Sequence, residues 1–187
     1  MRRRSAKRTA RSSRAGFTVV ELLGVLIVMG LIASMVVVNW AGLLPGTELN
    51  ASVHNLGAAI QGARSDAVSR NGEFRLYYDL EQSSWWVLSP YRQDGAPARA
   101  EEERVIVRRG KFPEGVVIQR VTLGGQEFVE GVIYVSFDAL GRATDHTVTL
   151  IHTRYDSIMT IEVLPLTGLV RFHDGLFERQ LLEEGDF

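Results

Sequence analysis

The sequence predicts an α+β protein in which an apolar N-terminal helix continues into an amphipathic helix packed on an antiparallel β-sheet domain. Three observations lead to this class. Residues 22–47 contain no charged side chain, and the following two dozen residues carry one apolar stripe at helical spacing. Beyond residue 73 the chain reads as short strands separated by turns, so helices come first and strands follow. With 187 residues, 45% of them hydrophobic, the chain can form one packed domain with an appendage.

The near-neutral total charge hides an uneven distribution. The chain has 21 Lys and Arg against 22 Asp and Glu. Residues 1–16 hold seven of the basic residues and no acid, which leaves 14 basic and 22 acidic residues in the remainder. In isolation this block would suit nucleic acid, anionic lipid or the cytoplasmic side of a membrane helix, and the apolar run behind it favours the last. The absence of cysteine excludes a disulfide framework, a thiolate metal site and a Cys nucleophile.

The apolar run predicts a membrane anchor. A helix over residues 17–40 would be about 36 Å long, which exceeds the roughly 30 Å hydrocarbon core of a bilayer. We therefore predict a single transmembrane helix there, with its N-terminus in the cytoplasm. A secretory signal peptide is the main alternative, but its apolar run is normally shorter, and no A-x-A cleavage site follows. A buried helix of a soluble protein would be apolar along one stripe, whereas this run is apolar all round.

Glu21 interrupts the apolar character near the start of this helix. A carboxylate inside a bilayer costs roughly 2.5–3.5 kcal/mol near the centre and less toward the interface. Such residues are usually paired and functional. The alternative is that Glu21 marks the membrane interface and reaches polar headgroups.

The segment RAGFTVVELL, residues 14–23, resembles the class III signal of type IV pilins and type II secretion pseudopilins. The basic leader, Gly16, Phe17 directly after it, and Glu21 four residues further on all match that pattern. The resemblance implies that prepilin peptidase removes residues 1–16 by cleaving between Gly16 and Phe17, and then N-methylates Phe17. It also implies that Glu21 pairs with the N-terminal amine of a neighbouring subunit during filament assembly. Such a pair removes two isolated charges from an apolar setting.

Residues 41–72 are predicted to form a bend and an amphipathic stalk helix. Gly42, Pro45 and Gly46 should bend or break the chain after the first helix. Glu48–Arg70 then reads as a helix whose apolar residues recur at spacings of four, three, four, three and four on one face: Leu49, Val53, Leu56, Ile60, Ala63 and Ala67. This face is expected to pack on a sheet.

Residues 73–187 are predicted to form a β-rich domain. Alternating apolar residues over 74–80, a turn at 81–84 and a returning strand at 85–88 predict a hairpin, which a long polar loop over 89–103 follows. Further strands are predicted at residues 105–107, 116–123, 132–137, 147–151, 158–164 and 169–172. Turns are predicted at residues 124–125, 138–141 and 165–168.

This order of elements resembles the H-type minor pseudopilins, the GspH/FimT-like group. The matching landmarks are residues 58–72, 85–86, 137–150 and 161–172. The resemblance implies a pilin-like fold, an inner-membrane anchor, a periplasmic domain and a place in the type II secretion pseudopilus. The implied partners are prepilin peptidase, other major and minor pseudopilins and the secretion assembly platform. A type IV pilus minor pilin, including one that serves DNA uptake, is the alternative. The chain departs from many type IV pilins in lacking a Cys pair.

Metal and enzyme chemistry have little support in the sequence. The chain has four histidines, and two of them, His146 and His152, would share one face of a predicted strand. No ligand-spacing motif joins them to the nearby aspartates, so we predict surface or turn positions for the histidines. No nucleophile frame or glycine-rich phosphate loop is present. We therefore predict no catalytic residue, no cofactor and no metal site, and hence no enzyme.

Nucleic-acid binding would require a basic patch on the domain. The candidate is the segment RVIVRRGK, Arg104–Lys111, but Glu101–Glu103 directly precede it and would partly cancel its charge. Residues 176–187 carry four acids and one Arg. We therefore predict a solvated strand and turn at Arg104–Lys111 rather than a phosphate-binding surface.

Overall fold

The computed structural model describes residues 18–40 and 44–177. The chain divides into two units between Gly42 and Leu43. The first unit contains helix α1, Val19–Trp40, and all of its described side chains, over residues 19–34, are exposed to solvent. Within the described residues, no helix meets the length and apolarity that a membrane span requires.

The second unit begins with helix α2, Leu44–Ser69. The predicted helix starts at Glu48, whereas the observed one starts four residues earlier and includes Pro45 and Gly46. Pro45 and Gly46 therefore lie within the first turn of α2 and not before it. Proline is tolerated in the first helical turn because the N–H that it lacks would have no intrahelical acceptor there. The remainder of the predicted bend, residues 41–43, lies outside the described residues.

Helix α2 ends at the predicted Asn-Gly stop. Asn71 adopts a left-handed φ of 49°, and its N–H donates to the Val68 carbonyl. The Gly72 N–H donates to the Ala67 carbonyl at 3.1 Å. This pair of bonds is the Schellman arrangement, which satisfies carbonyls that have no partner within the helix.

The described residues of the second unit form nine strands in two antiparallel sheets. The first sheet contains β1 (Phe74–Asp79), β2 (Ser84–Leu88), β3 (Ile106–Lys111) and β6 (Val132–Phe137), in the order β3-β2-β1-β6. The second contains β4 (Val116–Leu123), β5 (Gln126–Phe128), β7 (His146–His152), β8 (Ser157–Val163) and β9 (Val170–Asp174), in the order β5-β4-β7-β8-β9. A short 3-10 helix, Glu101–Glu103, lies between β2 and β3.

Two strands differ from the prediction. Strand β3 continues to Lys111, four residues past its predicted end, and strand β5 was not predicted. Strand β5 forms because Gly124 and Gly125 have φ values of 52° and 89° and return the chain beside β4. Two consecutive positive φ angles are typical of the two-residue hairpin turn that matches the twist of its strands.

The predicted apolar stripe of α2 is confirmed, since each of its six residues is at most 2% exposed: Leu49, Val53, Leu56, Ile60, Ala63 and Ala67. Helix α2 contacts both sheets, most extensively through β8 and β1. The sheets face it with buried side chains at alternate positions: Phe74, Leu76, Tyr78, Val148, Leu150, Ile161 and Val163. Burial of a large apolar side chain contributes roughly 1.5–3 kcal/mol, so this shared core fixes the helix against both sheets.

Candidate functional site

Glu21 is the one predicted processing or assembly residue within the described part of the chain; Gly16 and Phe17 lie outside it. The backbone N–H of Glu21 donates to Thr18 Oγ1 at 3.3 Å and to the Thr18 carbonyl at 3.1 Å. Thr18 therefore caps α1, and a Glu three residues after a Thr cap has the capping-box spacing. A carboxylate in the first turn is also favoured by the helix dipole. The T-x-x-E spacing is readable in the sequence and places the Glu21 carboxylate in the first turn of α1.

His146 is buried between the two sheets, at 1% exposure. Its Nδ1 lies 2.7 Å from the Thr144 carbonyl, which can only accept, so we assign the ring proton to Nδ1. The other ring nitrogen, Nε2, then accepts a hydrogen bond from the Tyr78 hydroxyl at 3.0 Å. Burial lowers the pKa of His146 to about 4, because desolvation of the imidazolium outweighs the Thr144 carbonyl and the charge of Asp145.

His152 lies at the other end of β7 and is 3% exposed. Its Nε2 is 3.4 Å from Glu48 Oε2, so it connects β7 to the first turns of α2. His146 and His152 do share one face of the strand, as predicted. The prediction that they are surface or turn residues is wrong, because strand alternation places both on the inward face with Val148 and Leu150.

The other two histidines also have structural partners. His173 Nε2 lies 3.0 Å from Glu162 Oε2, whose side chain is 4% exposed, and the His173 ring stacks on Phe177. His54 is exposed on α2 with its ring 4.6 Å from Phe172. In the described part of the chain, no three His, Cys, Asp or Glu residues come together as a metal site.

The basic segment Arg104–Lys111 forms edge strand β3 and the residues before it. Arg108 Nη2 makes an ion pair with Asp66 Oδ2 of α2 at 2.7 Å. Arg104 Nη1 donates to the Glu73 carbonyl at 3.2 Å. This confirms the predicted strand and extends it to Lys111, while Arg104 and Val105 lie before it.

Two of the acids before this segment have partners outside it. Glu101 accepts hydrogen bonds from the Tyr77 hydroxyl at 2.6 Å and from Arg75 Nη1 at 3.0 Å. Glu103 accepts from the backbone N–H of Arg99 at 2.8 Å. These two carboxylates are directed to β1 and to their own turn, and neither forms an ion pair with a cation of β3.

Aromatic side chains pack across the outer face of the first sheet, a cluster that sequence reasoning missed. Tyr77 pairs in register with Trp86 and Tyr134, and its ring centroid lies 5.3 Å and 5.4 Å from theirs. The Arg75 guanidinium lies 5.1 Å from the centre of the Tyr134 ring. Burial, followed by the hydrogen bond to Glu101, raises the pKa of Tyr77 to about 12. Tyr77 alternates with the inward-facing residues of β1, and this alternation is the feature of the sequence that could have placed Tyr77 on the outer face.

A groove of about 460 Å³ lies between α2 and β3. Helix α2 contributes Asn55, Ala58 and Ala59, and Trp85 of β2 and Phe112 contribute aromatic surface. Strand β3 lines the groove with the residues from Arg108 to Lys111. The groove therefore combines a basic edge with an apolar floor.

The family described as type II transport protein GspH matches residues 52–167. This span is more than half of the chain and runs from α2 through β8. The chain belongs to the GspH family. No curated protein matches the sequence.

This GspH-family chain is similar to two solved structures. The minor pseudopilin EpsH of the type II secretion system of Vibrio cholerae has a TM-score of 0.52 at 14% identity, covering 71% of this chain and 98% of that one. The type IV minor pilin FimU of Pseudomonas aeruginosa has a TM-score of 0.46 at 17% identity, covering 68% and 89%. At such identities the likeness to EpsH concerns the fold alone.

The GspH-family match separates two groups of residues. Residues 52–167 include both inward histidines of β7, strand β3 and most of the groove. Gly16, Phe17 and Glu21 lie outside the matched span, so their roles rest on the sequence motif.

Proposed function

We propose that this GspH-family chain is a minor pseudopilin, a structural subunit of the type II secretion pseudopilus that takes part in protein export. The observation that carries this proposal is the family match over residues 52–167, which includes most of α2 and eight of the nine described strands. The chain would act by assembly rather than by catalysis. The structural contacts of its four histidines fit that role.

In this proposal residues 17–40 anchor the mature protein in the inner membrane and bundle with the helices of other pseudopilins. The seven basic residues within residues 1–16 favour a cytoplasmic N-terminus and hence a periplasmic domain. Helix α1 exposes large apolar side chains, including Val20 at 81% and Leu26 at 68%. It therefore has apolar surface available for packing against other helices.

The proposal further assigns Gly16, Phe17 and Glu21 to maturation and assembly. Prepilin peptidase would cleave between Gly16 and Phe17, leaving a new amine about one helical turn from Glu21. N-methylation of Phe17 would keep that amine positively charged. The exposed position of Glu21 in the first turn of α1 supports a pairing with the amine of a neighbouring subunit. The assembly platform and the other pseudopilins are the corresponding partners.

The test uses two substitutions in cells that carry the secretion system. Gly16→Ala should block cleavage, so mass spectrometry should find residues 1–16 retained. Glu21→Ala should leave cleavage intact but reduce secretion and the crosslinking of the chain to other pseudopilins. Glu81→Ala, which removes an exposed acid from the β1–β2 turn, is the matched control and should behave as the native chain.

Normal secretion with both Gly16→Ala and Glu21→Ala would overturn the proposed assembly role. Loss of surface pili with normal secretion would instead assign the chain to a type IV pilus.

A further inference from the structure

We propose that the groove between α2 and β3 receives an extended acidic segment of another pseudopilus subunit, which pairs with β3 as an added strand. This inference rests on the proposed assembly role for the identity of the partner. Three features support this binding mode: the basic edge of β3, the outward backbone groups of that edge, and the apolar surface beside it.

Strand β3 has a free edge. The first sheet ends at β3, which pairs only with β2 among the described strands. The Phe112 N–H donates to the Ser83 carbonyl at 3.1 Å, and Gly110 and Arg108 follow at alternate positions opposite Trp85 and Val87. In an antiparallel ladder the intervening residues direct their N–H and C=O groups away from the partner strand. The outward backbone groups are therefore those of Arg109 and Lys111, since the regular ladder ends at the register shift opposite Val87 and Leu88.

This edge is exposed along nearly its whole length. Ile106 is 50% exposed and Val107 is 37% exposed. Exposed edges are sites where another strand can add, and proteins usually block them with proline, bulges or charges. Strand β3 contains no proline, and its register shift against Val87 and Leu88 lies near its N-terminal end. The charges that it carries are all of one sign: Arg108, Arg109 and Lys111. These cations would repel an incoming basic strand but not an acidic one.

The available cations are Arg109 and Lys111. Arg108 is paired with Asp66, whereas neither Arg109 nor Lys111 forms an ion pair with a described residue. Glu101 and Glu103, the acids that precede the strand, are bonded elsewhere. Glu114, the acid nearest to Lys111 in sequence, is exposed and forms no ion pair with a described residue. Cationic residues with this environment would attract carboxylates on an incoming strand.

A second copy of β3 is a poor occupant of the same edge. Antiparallel pairing of two β3 strands would place three cations of one copy near three cations of the other. Like charges opposite each other destabilise strand pairs. The edge therefore favours a different, acidic segment over self-association.

The groove also specifies a side-chain pattern. Gly110 lacks a side chain, and the Trp85 ring lies so close that an added Cβ would be 2.5 Å from it. Trp85, Ala58, Ala59 and Phe112 thus present an apolar floor on the α2 side of the edge. Successive side chains of a strand point to opposite faces. An incoming strand would direct apolar side chains toward this floor and acids toward the face of Arg109 and Lys111.

The test measures binding of a fluorescent seven-residue peptide of alternating Glu and Val, capped at both ends, to the full chain in mild detergent. Fluorescence anisotropy should report saturable binding. A peptide with Lys in place of Glu should not bind. A peptide with alternate backbone amides N-methylated keeps the charge but cannot complete the ladder, and it should bind about tenfold more weakly.

The protein variants locate the site. Arg109→Glu should weaken binding of the acidic peptide by about tenfold, because it turns an attraction into a repulsion. Arg154→Glu, the same change in the exposed β7–β8 turn, is the matched control and should have little effect. Circular dichroism checks that both variants remain folded.

Several outcomes would overturn strand addition. These are absence of binding, equal binding of the N-methylated peptide, and equal weakening by Arg109→Glu and Arg154→Glu. Tighter binding of a short DNA duplex, lost with Arg109→Glu, would assign the edge to nucleic acid instead. Peptide binding is measured on the isolated chain, so its failure is distinguishable from a failure of the cleavage and secretion tests.

Discussion

The Tyr78 hydroxyl lies 3.0 Å from His146 Nε2, and this hydrogen bond connects β1 of the first sheet to β7 of the second. Tyr78 is fully buried and His146 nearly so. The Thr144 carbonyl holds the His146 tautomer in which Nε2 accepts the tyrosine proton. The interior therefore contains a hydrogen-bonded link between the two sheets, in which both ring nitrogens of His146 have a partner.

Tyr78→Phe should lower the free energy of unfolding by about 1–3 kcal/mol. The ring would remain packed, but His146 Nε2 would lose its donor inside the core, and a buried polar atom without a partner is destabilising. Chemical unfolding followed by tryptophan fluorescence measures the change. Tyr155→Phe removes a hydroxyl from a half-exposed side chain in the β7–β8 turn and should change stability by less than about 0.5 kcal/mol. Equal effects of the two substitutions would contradict the interpretation.

Domain stability should fall as the pH decreases from about 6.5 to about 4. The pKa of His146 is lowered to about 4 in the folded state, from 6.5 for an ordinary histidine. Between these values the unfolded chain binds a proton that the folded chain does not, so acid favours unfolding. The loss is complete below the folded pKa and amounts to roughly 3 kcal/mol at most.

His146→Gln should flatten this pH dependence, whereas His54→Gln should leave it unchanged because His54 is exposed on α2. Urea unfolding at several pH values between 4 and 7 gives the slopes. If stability still depended on pH in the His146→Gln variant as steeply as in the native protein, another group would be responsible for the pH dependence.

Most elements of the fold were predictable because the pattern along the chain is strong. The α2 stripe repeats over six residues, and β4 and β6 match their predicted bounds residue for residue. Strand β5 has three residues, too few for an alternation to be recognised. His146 was misplaced because residue type suggested the surface, whereas its position in β7 directs it inward.

The candidate sites differ in how much of each could be predicted from the sequence. The Gly16, Phe17 and Glu21 motif is linear and can be read without a fold. The groove arises because β3 lies beside β2 and faces α2, which no local pattern encodes. Similarly, the contact of Glu101 with Tyr77 joins residues that are 24 positions apart and directs this acid to β1.

Ala63→Leu should destabilise the domain by about 1–3 kcal/mol. Ala63 is fully buried on the α2 stripe, and extra methylenes in a packed core force side chains and backbone to shift. Ala51→Leu, an exposed position on the same helix, is the control and should be close to neutral. Thermal unfolding of both variants measures the difference. A neutral Ala63→Leu would indicate space between α2 and the sheets.

Glu101→Gln should lower the pKa of Tyr77 from about 12 while leaving it above 10. Burial is the larger cause of the raised pKa and persists in the variant, whereas the carboxylate contact is lost. Titration of the tyrosine ring carbons by NMR follows this residue directly. Glu102→Gln should leave the Tyr77 pKa unchanged, since Glu102 is an exposed neighbour in the same 3-10 helix. A Tyr77 pKa of 10 or below in Glu101→Gln would contradict the assignment of burial as the main cause.

Asp66→Asn should strengthen binding of the acidic peptide to β3, opposite in sign to Arg109→Glu. Asp66 neutralises Arg108 at 2.7 Å, and its removal would free a third cation beside the groove. A partly exposed charge pair is worth at most about 1 kcal/mol, so the expected gain is about two- to fivefold and should shrink at high salt. Asp94→Asn breaks the Arg92–Asp94 pair, whose residues do not line the groove, and should leave peptide affinity unchanged. Weaker binding in Asp66→Asn would mean that Arg108 must be held by Asp66 for the groove to keep its shape.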